Sequence, residues 1–364
     1  MNQDWKAFLE ARSATVSEPS LSPNENPNGD TNLNQIGNAR FADAPLDADC
    51  ALVDLSHLGL IAVGGPEATD FLQAQVGNDV RELSDNHSQL NSHCSAKGRM
   101  LANFRMLRIE QSLFMVLPRS QMQPLLKRLR MFLLRAKATI DDASDALVCF
   151  GIIGDCADAA LRELFTTLPG DDNAMTRSGD ATLIRIAGPA PRYLFIGPAQ
   201  EAKTLWQNAA GQAVEANAEL WALHDIRAGI PTVQPQTSEA FVPQMVNMQL
   251  IDGVSFTKGC YTGQEVVARM QYLGKLKRRM YIAEAESDIA PRPGDLLSVP
   301  GSLSEQAPGR VVDAIAVAPG RYELLVVVEI SAAEDGEVRL ARESGDAGPL
   351  LQLKAPPYGF PLEV

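Results

Sequence analysis

Short runs in which apolar and polar residues alternate occur in several parts of the chain, and a period of two predicts β-strands. Residues 51–63 and 90–119 show this pattern. In the second stretch a turn at residues 96–99 separates one strand from two longer ones, which predicts a meander. Further apolar runs predict strands over residues 147–153, 181–187 and 192–196.

Other segments have apolar residues at helical spacing. They predict helices over residues 4–12, from Pro66 onward, from Pro124 onward, over 158–168 and over 219–228, the last ended by Gly229. The helix opened by Pro124 combines a stripe of leucines with basic side chains on the opposite face. Because helices and strands are mixed rather than strictly alternating, the pattern predicts an α+β fold with antiparallel sheets.

The domain organisation follows from length and local composition. A chain of 364 residues is typical of two or three domains. Residues 13–44 are rich in Ser, Asn, Pro and Gly, so we predict an N-terminal helix and flexible linker over residues 1–45. Two mixed α+β domains are predicted over 46–145 and 146–276. Short apolar runs separated by Pro-Gly pairs predict a small C-terminal β-barrel over 277–364.

Charged residues are unevenly distributed along the chain. The net charge of −13 disfavours general attraction to nucleic acid. Between residues 97 and 137, however, ten basic residues accompany a single acid, Glu110, and residues 269–279 hold five basic residues and no acid. Such clusters fit a localised anionic ligand, although basic runs are more often merely solvated faces.

The chain shows no sign of export or of a membrane span. Its first ten residues include Asp4 and Glu10 and lack the pattern of a secretory signal. Its apolar runs are far shorter than the roughly 20 residues that cross a bilayer. We therefore expect a cytoplasmic protein with no membrane partner.

Cysteine and histidine usage does not indicate a metal site. Five cysteines lie at wide spacings without a C-x-x-C pair, which argues against both a disulfide framework and structural zinc. Four histidines are too few and too scattered to predict a metal centre. The common phosphate-loop, dinucleotide, zinc-protease and hydrolase motifs are also absent from the sequence.

The segment from Lys258 to Glu265, K-G-C-Y-T-G-Q-E, has a distinctive chemistry. It predicts a strand over residues 254–257, a tight turn, and a helix that begins near Gly263. Free amides and the positive end of that helix would stabilise a thiolate at Cys260, and Lys258 would add a nearby charge. The alternative is that Cys260 only packs a tight turn, and the residues alone leave both readings open.

A family resemblance bears on this choice. The run F-T-K-G-C-Y-T-G-Q-E-V-V-A-R, preceded by F-V-P-Q-M-V-N, closely resembles the signature of the YgfZ family of tRNA-modifying or folate-binding proteins, relatives of the aminomethyltransferase of the glycine cleavage system. Residues 94–100 (C-S-A-K-G-R-M) and 71–80 (F-L-Q-A-Q-V-G-N-D-V) look like two further family segments. Trp221 and the A-G-I-P run at 228–231 match another.

The resemblance implies an aminomethyltransferase-like fold around a central folate cavity, with tetrahydrofolate or a derivative as ligand. Trp221 would form one aromatic wall. Lys97, Arg99 and the basic helix at 127–137 would receive a folate glutamate tail or tRNA phosphates. The remaining candidate folate contacts are Tyr261, Gln264, Glu265 and Arg227.

The chain also departs from the aminomethyltransferases. Ala102 and Asn103 stand where those enzymes have an acidic pair that includes the catalytic Asp, so ordinary aminomethyl transfer is not expected. Arg227 replaces a pteridine-binding Glu, and Leu58 replaces a second tryptophan.

The resemblance therefore implies a folate-binding protein of iron–sulfur cluster assembly or repair that supports tRNA methylthiolation. Cys260 would then be the essential thiol, assisted by Lys258. Its partners would be iron–sulfur assembly or client proteins. The alternatives are a folate-dependent one-carbon transferase, or a tRNA- or protein-binding scaffold without catalysis.

Overall fold

The secondary structure mixes helices and strands along the whole chain. The computed structural model describes residues 1–17, 37–299, 307–342 and 347–360. The helices are α1 Gln3–Glu10, α2 Ala68–Gln73, α3 Arg119–Leu133, α4 Asp158–Leu164, α5 Ala199–Ala209, α6 Ala218–Ala228, α7 Gln264–Tyr272 and α8 Ile330–Asp335. Short 3₁₀ turns are Val80–Glu82, Pro235–Thr237, Pro243–Val246 and Met248–Leu250.

The strands form three larger sheets and two small pairs. They are β1 Thr15–Val16, β2 Ala39–Arg40, β3 Ala51–Asp54, β4 Leu58–Gly64, β5 Gln89–Cys94, β6 Met100–Ile109, β7 Ser112–Pro118, β8 Thr139–Asp142, β9 Val148–Ile153, β10 Met175–Ser178, β11 Ala181–Arg185, β12 Arg192–Gly197, β13 Val214–Ala216, β14 Arg278–Glu286, β15 Leu297–Ser298, β16 Gly309–Ala318, β17 Arg321–Glu329, β18 Arg339–Leu340 and β19 Leu351–Lys354.

Two sheets pack face to face at the centre. One has the order β5-β6-β7-β4-β8 and the other β10-β11-β12-β9-β3-β13. Leu60 of the first and Val53 of the second share one buried core. Because side chains alternate along a strand, Ile61 points the other way, into the core under α2 and α3. Helices α1, α4 and α5 cover the outer face of the second sheet, so helices enclose the two sheets.

Helix α6 joins these sheets to the C-terminal unit. Trp221 packs in the core between the sheets, whereas Leu223 and Ile226 pack with the C-terminal strands. Gly229 ends the helix with φ of 68°, as the sequence predicts. The C-terminal unit is a four-stranded sheet, β16-β17-β14-β19, with the small pair β15-β18. Isolated bridges, Leu296 with Arg310 and Arg339 with Leu350, connect this pair to β16 and β19. In the described part of the chain the predicted small barrel is therefore seen as a four-stranded sheet whose two outer strands are bridged by the β15-β18 pair.

Several expectations from the sequence need correction. The helix predicted from Pro124 begins five residues earlier, at Arg119, and continues through the proline because Leu125 and Leu129 hold it against the sheet. The strand predicted over 254–257 does not form, since the Ser255 hydroxyl accepts the amides of the next residues and turns the chain.

Two further expectations concern the N-terminal part of the chain. Of the predicted linker, residues 18–36 lie outside the described residues, but its two ends pair as β1 and β2. Cys50 and Cys156 are joined as a disulfide with their Cα atoms 6.1 Å apart, where none was expected. Helix α1 packs on the second sheet through Trp5, whose indole donates to Asp54. The domain boundaries themselves stay a prediction.

Candidate functional site

Cys260 lies on an exposed turn that leads into α7. Gly263 precedes the helix with φ of 86°, a left-handed conformation that favours glycine. The Gln264 side-chain amide donates to the Gly259 carbonyl at 3.4 Å and closes the turn. The Cys260 side chain is exposed, whereas the free cysteines Cys94 and Cys149 are buried. The helix thus begins where the sequence predicts it, with the thiol at the surface in front of it.

Lys258 points into the protein. Its ammonium donates to the Val76 and Asn78 carbonyls, both at 2.7 Å. It also lies 5.1 Å from the centre of the Tyr261 ring. Burial lowers the pKa of Lys258 to about 8, although Asp79 acts in the opposite direction. The described contacts of this ammonium therefore attach the turn to the segment after α2.

The turn rests on two other segments that the sequence had singled out. A Cβ at Gly263 would lie 2.4 Å from the Ser95 carbonyl, and one at Gly98 would lie 2.8 Å from Val266. The Thr262 amide donates to the Ala74 carbonyl at 3.3 Å. Tyr261 is buried, and burial raises the pKa of its hydroxyl. Residues 71–80, 94–100 and 258–265, which are separate in sequence, thus form one contact surface.

The basic residues of the 95–99 turn have different environments. Lys97 is exposed at the tip, and Arg99 donates to the Ala240 carbonyl at 2.6 Å. Arg99 therefore ties the turn to the F-V-P-Q segment. The Gln244 side chain of that segment donates to the Val267 carbonyl at 2.7 Å and so holds α7. Glu265 is exposed on the first turn of α7.

Trp221 is enclosed and lies in a different part of the fold. It is 6% exposed, and a Cβ on Gly151 would come within 2.4 Å of its ring. The guanidinium of Arg192 lies 4.8 Å from the ring centre and donates to Asp225 at 2.6 Å. The indole is therefore held between the β9 backbone and a buried cation.

A group of buried charges near Trp221 was not found from the sequence. Burial raises the pKa of Asp225, although Arg192 opposes the shift. Burial and the nearby Asp225 raise the pKa of Asp313 to about 7. Arg105 donates to Ser88 at 2.8 Å and to Asn173 at 2.7 Å, and burial lowers its pKa to about 10. The signal that could have revealed them is the presence of Arg105 and Arg192 inside strands whose neighbours are apolar.

Comparisons with known proteins identify the family. A family model described as the GCVT N-terminal domain matches residues 45–194. A tRNA-modifying protein YgfZ of Yersinia pseudotuberculosis is 33% identical over 309 residues, covering 85% of this chain and 92% of the relative. The YgfZ protein of Yersinia enterocolitica is 33% identical over 327 residues, covering 89% of this chain and 98% of its own. The chain belongs to the YgfZ family.

A solved structure shows the same fold. The glycine cleavage system aminomethyltransferase T of Bartonella henselae matches with a TM-score of 0.66, covering 86% of this chain and 87% of its own, at 16% identity. The predicted aminomethyltransferase-like fold is thereby confirmed. Because the identity is low, this likeness concerns the fold alone.

Within this YgfZ-family chain, Asn103, which the family resemblance sets against an acid of the aminomethyltransferases, has a structural role. Its side-chain amide donates to the Pro231 carbonyl at 2.7 Å, and its oxygen accepts the Val233 amide at 2.7 Å. Ala102 is buried beside it. These two bonds hold the segment that follows α6, so neither position presents a carboxylate.

Arg227 is used in packing between parts of the fold. Its guanidinium forms a two-pronged ion pair with Glu323 of β17, the shortest contact being 2.7 Å. This bond raises the pKa of Arg227. The predicted folate contact is thus already engaged in joining α6 to the C-terminal sheet.

The basic helix is only partly available to a ligand. Arg128 donates to His93 at 3.0 Å, and Arg130 donates to the Ile140 carbonyl at 2.8 Å. Lys127, Arg135 and Lys137 are exposed. Helix α3 ends at Leu133, so Arg135 and Lys137 lie beyond it, although the basic helix was predicted to run to residue 137. Arg130 is exposed as well, but it and Arg128 bond within the protein, which leaves Lys127, Arg135 and Lys137 for a ligand.

A cavity of about 470 Å³ lies between residues 238–245 and the C-terminal strands. Arg278, Arg310 and Phe241 are among its lining residues, and neither Cys260 nor Trp221 is. It is therefore not the central folate cavity that the family resemblance implies. Among the described residues no three His, Cys, Asp or Glu side chains are grouped to hold a metal ion, and no described helix is long and apolar enough to cross a membrane.

Proposed function

We propose that this chain acts in tRNA modification, as the name of its Yersinia relatives says of them, with Cys260 as its working thiol. The observation that supports this most is the contrast among its free cysteines. Cys260 is exposed, whereas burial raises the pKa of the Cys94 and Cys149 thiols to about 12. At neutral pH those two stay protonated and enclosed, so Cys260 is the accessible nucleophile or ligand among them.

The role proposed for Cys260 is in iron–sulfur cluster assembly or repair. Thiolates are the ligands that iron–sulfur clusters use, and one exposed cysteine can contribute one such ligand. The proposed partners are therefore iron–sulfur assembly or client proteins, which would bring the other ligands. The proposed site of action is the cytoplasm.

Folate is the proposed small-molecule ligand, and the surroundings of Trp221 fit one part of it. Trp221 and Asp225 lie four residues apart, on the same face of α6. A flat pteridine suits an indole, and its amino-pyrimidine edge suits the carboxyl groups of Asp225 and Asp313. Arg192 covers one side of the indole and the β9 backbone at Gly151 lies against the other, so stacking requires a shift of Arg192. Lys97 is the proposed contact for the glutamate tail.

Folate bound in this way would serve as a ligand or a carrier of one-carbon units. The residues do not favour aminomethyl transfer, because Asn103 is engaged with the backbone of residues 231 and 233. A non-catalytic binding role is the competing proposal, and the exposed basic side chains of α3 favour it.

The thiol proposal is tested in a strain that lacks the protein. We expect Cys260→Ala and Cys260→Ser to lose methylthiolated tRNA, measured by mass spectrometry of tRNA nucleosides, because no other accessible thiol replaces it. The control variant Cys94→Ala is expected to retain the modification if it folds, which circular dichroism checks. If the Cys260→Ala variant restored full methylthiolation of tRNA, the proposal would be refuted.

The folate proposal is tested by calorimetric titration with tetrahydrofolate. Gly151→Ala pushes a methyl group into the Trp221 ring, so we expect affinity to fall by at least about tenfold. The matched control is Gly170→Ala, where an added Cβ meets nothing within 4 Å. Equal affinity of the two variants would place folate away from Trp221.

A further inference from the structure

The surface around Cys260 combines exposed apolar side chains with exposed cations. Ten large hydrophobic side chains are exposed among the described residues, and six of them lie on or just after α3 and α7: Met131, Phe132, Leu134, Val266, Tyr272 and Leu273. Tyr272 is 66% exposed and Leu273 84%. Single exposed apolar residues are ordinary, but a cluster of six marks an interaction surface.

The two helix ends flank the Cys260 turn. The Tyr272 hydroxyl donates to the Phe256 carbonyl at 3.5 Å, so the end of α7 lies beside the chain that leads to Cys260. On the other side, Arg128 of α3 donates to His93, which bonds the Gln75 carbonyl at 2.8 Å. The neighbouring carbonyl, that of Ala74, accepts the amide of Thr262 two residues beyond Cys260. The turn that carries Cys260 is therefore linked to α7 directly and to α3 through His93 and residues 74–75.

The exposed charges on this surface are mostly positive, although Glu265 is exposed at the start of α7 and the Glu67 carboxylate accepts the Lys137 amide at 2.9 Å. Seven exposed cations surround it: Lys97, Lys127, Arg135, Lys137, Arg269, Lys275 and Lys277. Within the described ranges none of the seven side chains forms an ion pair, whereas many other cations of the chain do. No acid occurs in residues 111–140 or 266–283. Unpaired cations on a chain of net charge −13 are complementary to a polyanion.

We propose that the ends of α3 and α7 form one binding surface for a single-stranded, base-exposed part of a tRNA, which passes over Cys260. This deepens the proposed function and rests on it. Phosphates contact the seven cations, and unstacked bases lie on the Tyr272 and Phe132 rings. RNA is favoured over an acidic protein segment because the surface presents an exposed aromatic ring, that of Tyr272, among cations that form no ion pair within the described residues.

The experiment uses the full chain and a fluorescein-labelled tRNA transcript, with binding followed by fluorescence anisotropy over a range of KCl concentrations. We expect Lys275→Gln combined with Lys277→Gln to weaken binding at least about tenfold and to reduce the salt slope by about 1 to 2. Tyr272→Ala is expected to weaken binding about tenfold through lost stacking. The matched controls, Lys203→Gln on α5 and Ile289→Ala in the C-terminal unit, should bind as the unchanged chain does.

A second readout locates the RNA. Saturating tRNA should slow alkylation of Cys260 by iodoacetamide, measured by peptide mass spectrometry. An unchanged alkylation rate, or equal affinity of the Lys275 and Lys203 variants, would overturn the proposal. Competition by poly-L-glutamate together with unchanged binding by Tyr272→Ala would assign the surface to an acidic protein segment, and would overturn it too.

The outcome is separable from that of the proposed function. If tRNA binds here as expected while Cys260→Ala retains methylthiolation, the thiol proposal fails and the binding surface stands. If Cys260→Ala abolishes methylthiolation while tRNA does not bind, the binding surface alone is refuted.

Discussion

Replacing Lys258 by Met tests what this buried lysine does for the Cys260 turn. The change removes the donor of two buried carbonyls, those of Val76 and Asn78, which costs about 1–3 kcal/mol for each unpaired group. It also removes a buried ammonium whose pKa is lowered from 10.5 to about 8. That shift means that burial disfavours the charged form of the lysine by about 3 kcal/mol. Because the two effects oppose each other, we expect a change of no more than about 3 kcal/mol in the free energy of unfolding, together with a loosened turn.

The pH dependence isolates the lysine. Its pKa is lower in the folded chain than in the unfolded chain, so its contribution to stability is full above about pH 10.5 and is lost as the pH falls through 8. Between pH 7.5 and 9.5 this group should raise the free energy of unfolding by about 2 kcal/mol. Urea unfolding at both pH values should show the rise in the unchanged chain and in Lys203→Met, but not in Lys258→Met.

Hydrogen exchange distinguishes attachment from ionisation. If Lys258 attaches the turn, the amides of residues 259–263 should exchange faster in Lys258→Met. If the lysine acts instead by ionising Cys260, alkylation of Cys260 at pH 7 should slow while amide exchange stays unchanged. That second result would refute the reasoning from the hydrogen bonds.

Three further results are expected. Gly263→Ala should lower the free energy of unfolding by at least about 2 kcal/mol, because Gly263 has a left-handed φ and close neighbours. The control Gly259→Ala, where an added Cβ meets no atom within 4 Å, should change it little. Equal losses of stability in thermal unfolding of the two variants would contradict this. Burial lowers the pKa of His93 to about 4 in the folded chain. The contribution of this histidine to stability is therefore full above about pH 6.5, and the free energy of unfolding should fall by about 2 kcal/mol between pH 7 and pH 5. An NMR titration of His93 with a midpoint near pH 6.5 would contradict this. A double-mutant cycle of Arg227→Met and Glu323→Met should give a coupling free energy of about 1–2 kcal/mol. If the two losses of stability were simply additive, the ion pair would contribute nothing to the free energy of unfolding.

The local elements and the K-G-C-Y-T-G-Q-E segment could be predicted from the sequence alone. The meander over residues 90–119, the helix ended by Gly229 and the helix after Gly263 all follow from patterns within stretches of at most about 30 residues, and the structure contains each of them. The K-G-C-Y-T-G-Q-E run was sufficient to indicate the family. These features could be predicted because side-chain periodicity, a left-handed glycine and a fixed motif are properties of neighbouring residues.

The bonding partners of individual side chains can be read only from the tertiary structure. Lys258 was expected beside the thiol, but it bonds carbonyls about 180 residues earlier in the chain. Arg227 was expected at a folate, but it pairs with Glu323 in another sheet. Cys50 and Cys156, 106 residues apart, form a pair that no spacing rule would indicate. The physical reason is common to all three. A long or reactive side chain bonds to the groups that the fold places within a few ångströms, and the separation of residues along the sequence does not indicate which groups those are.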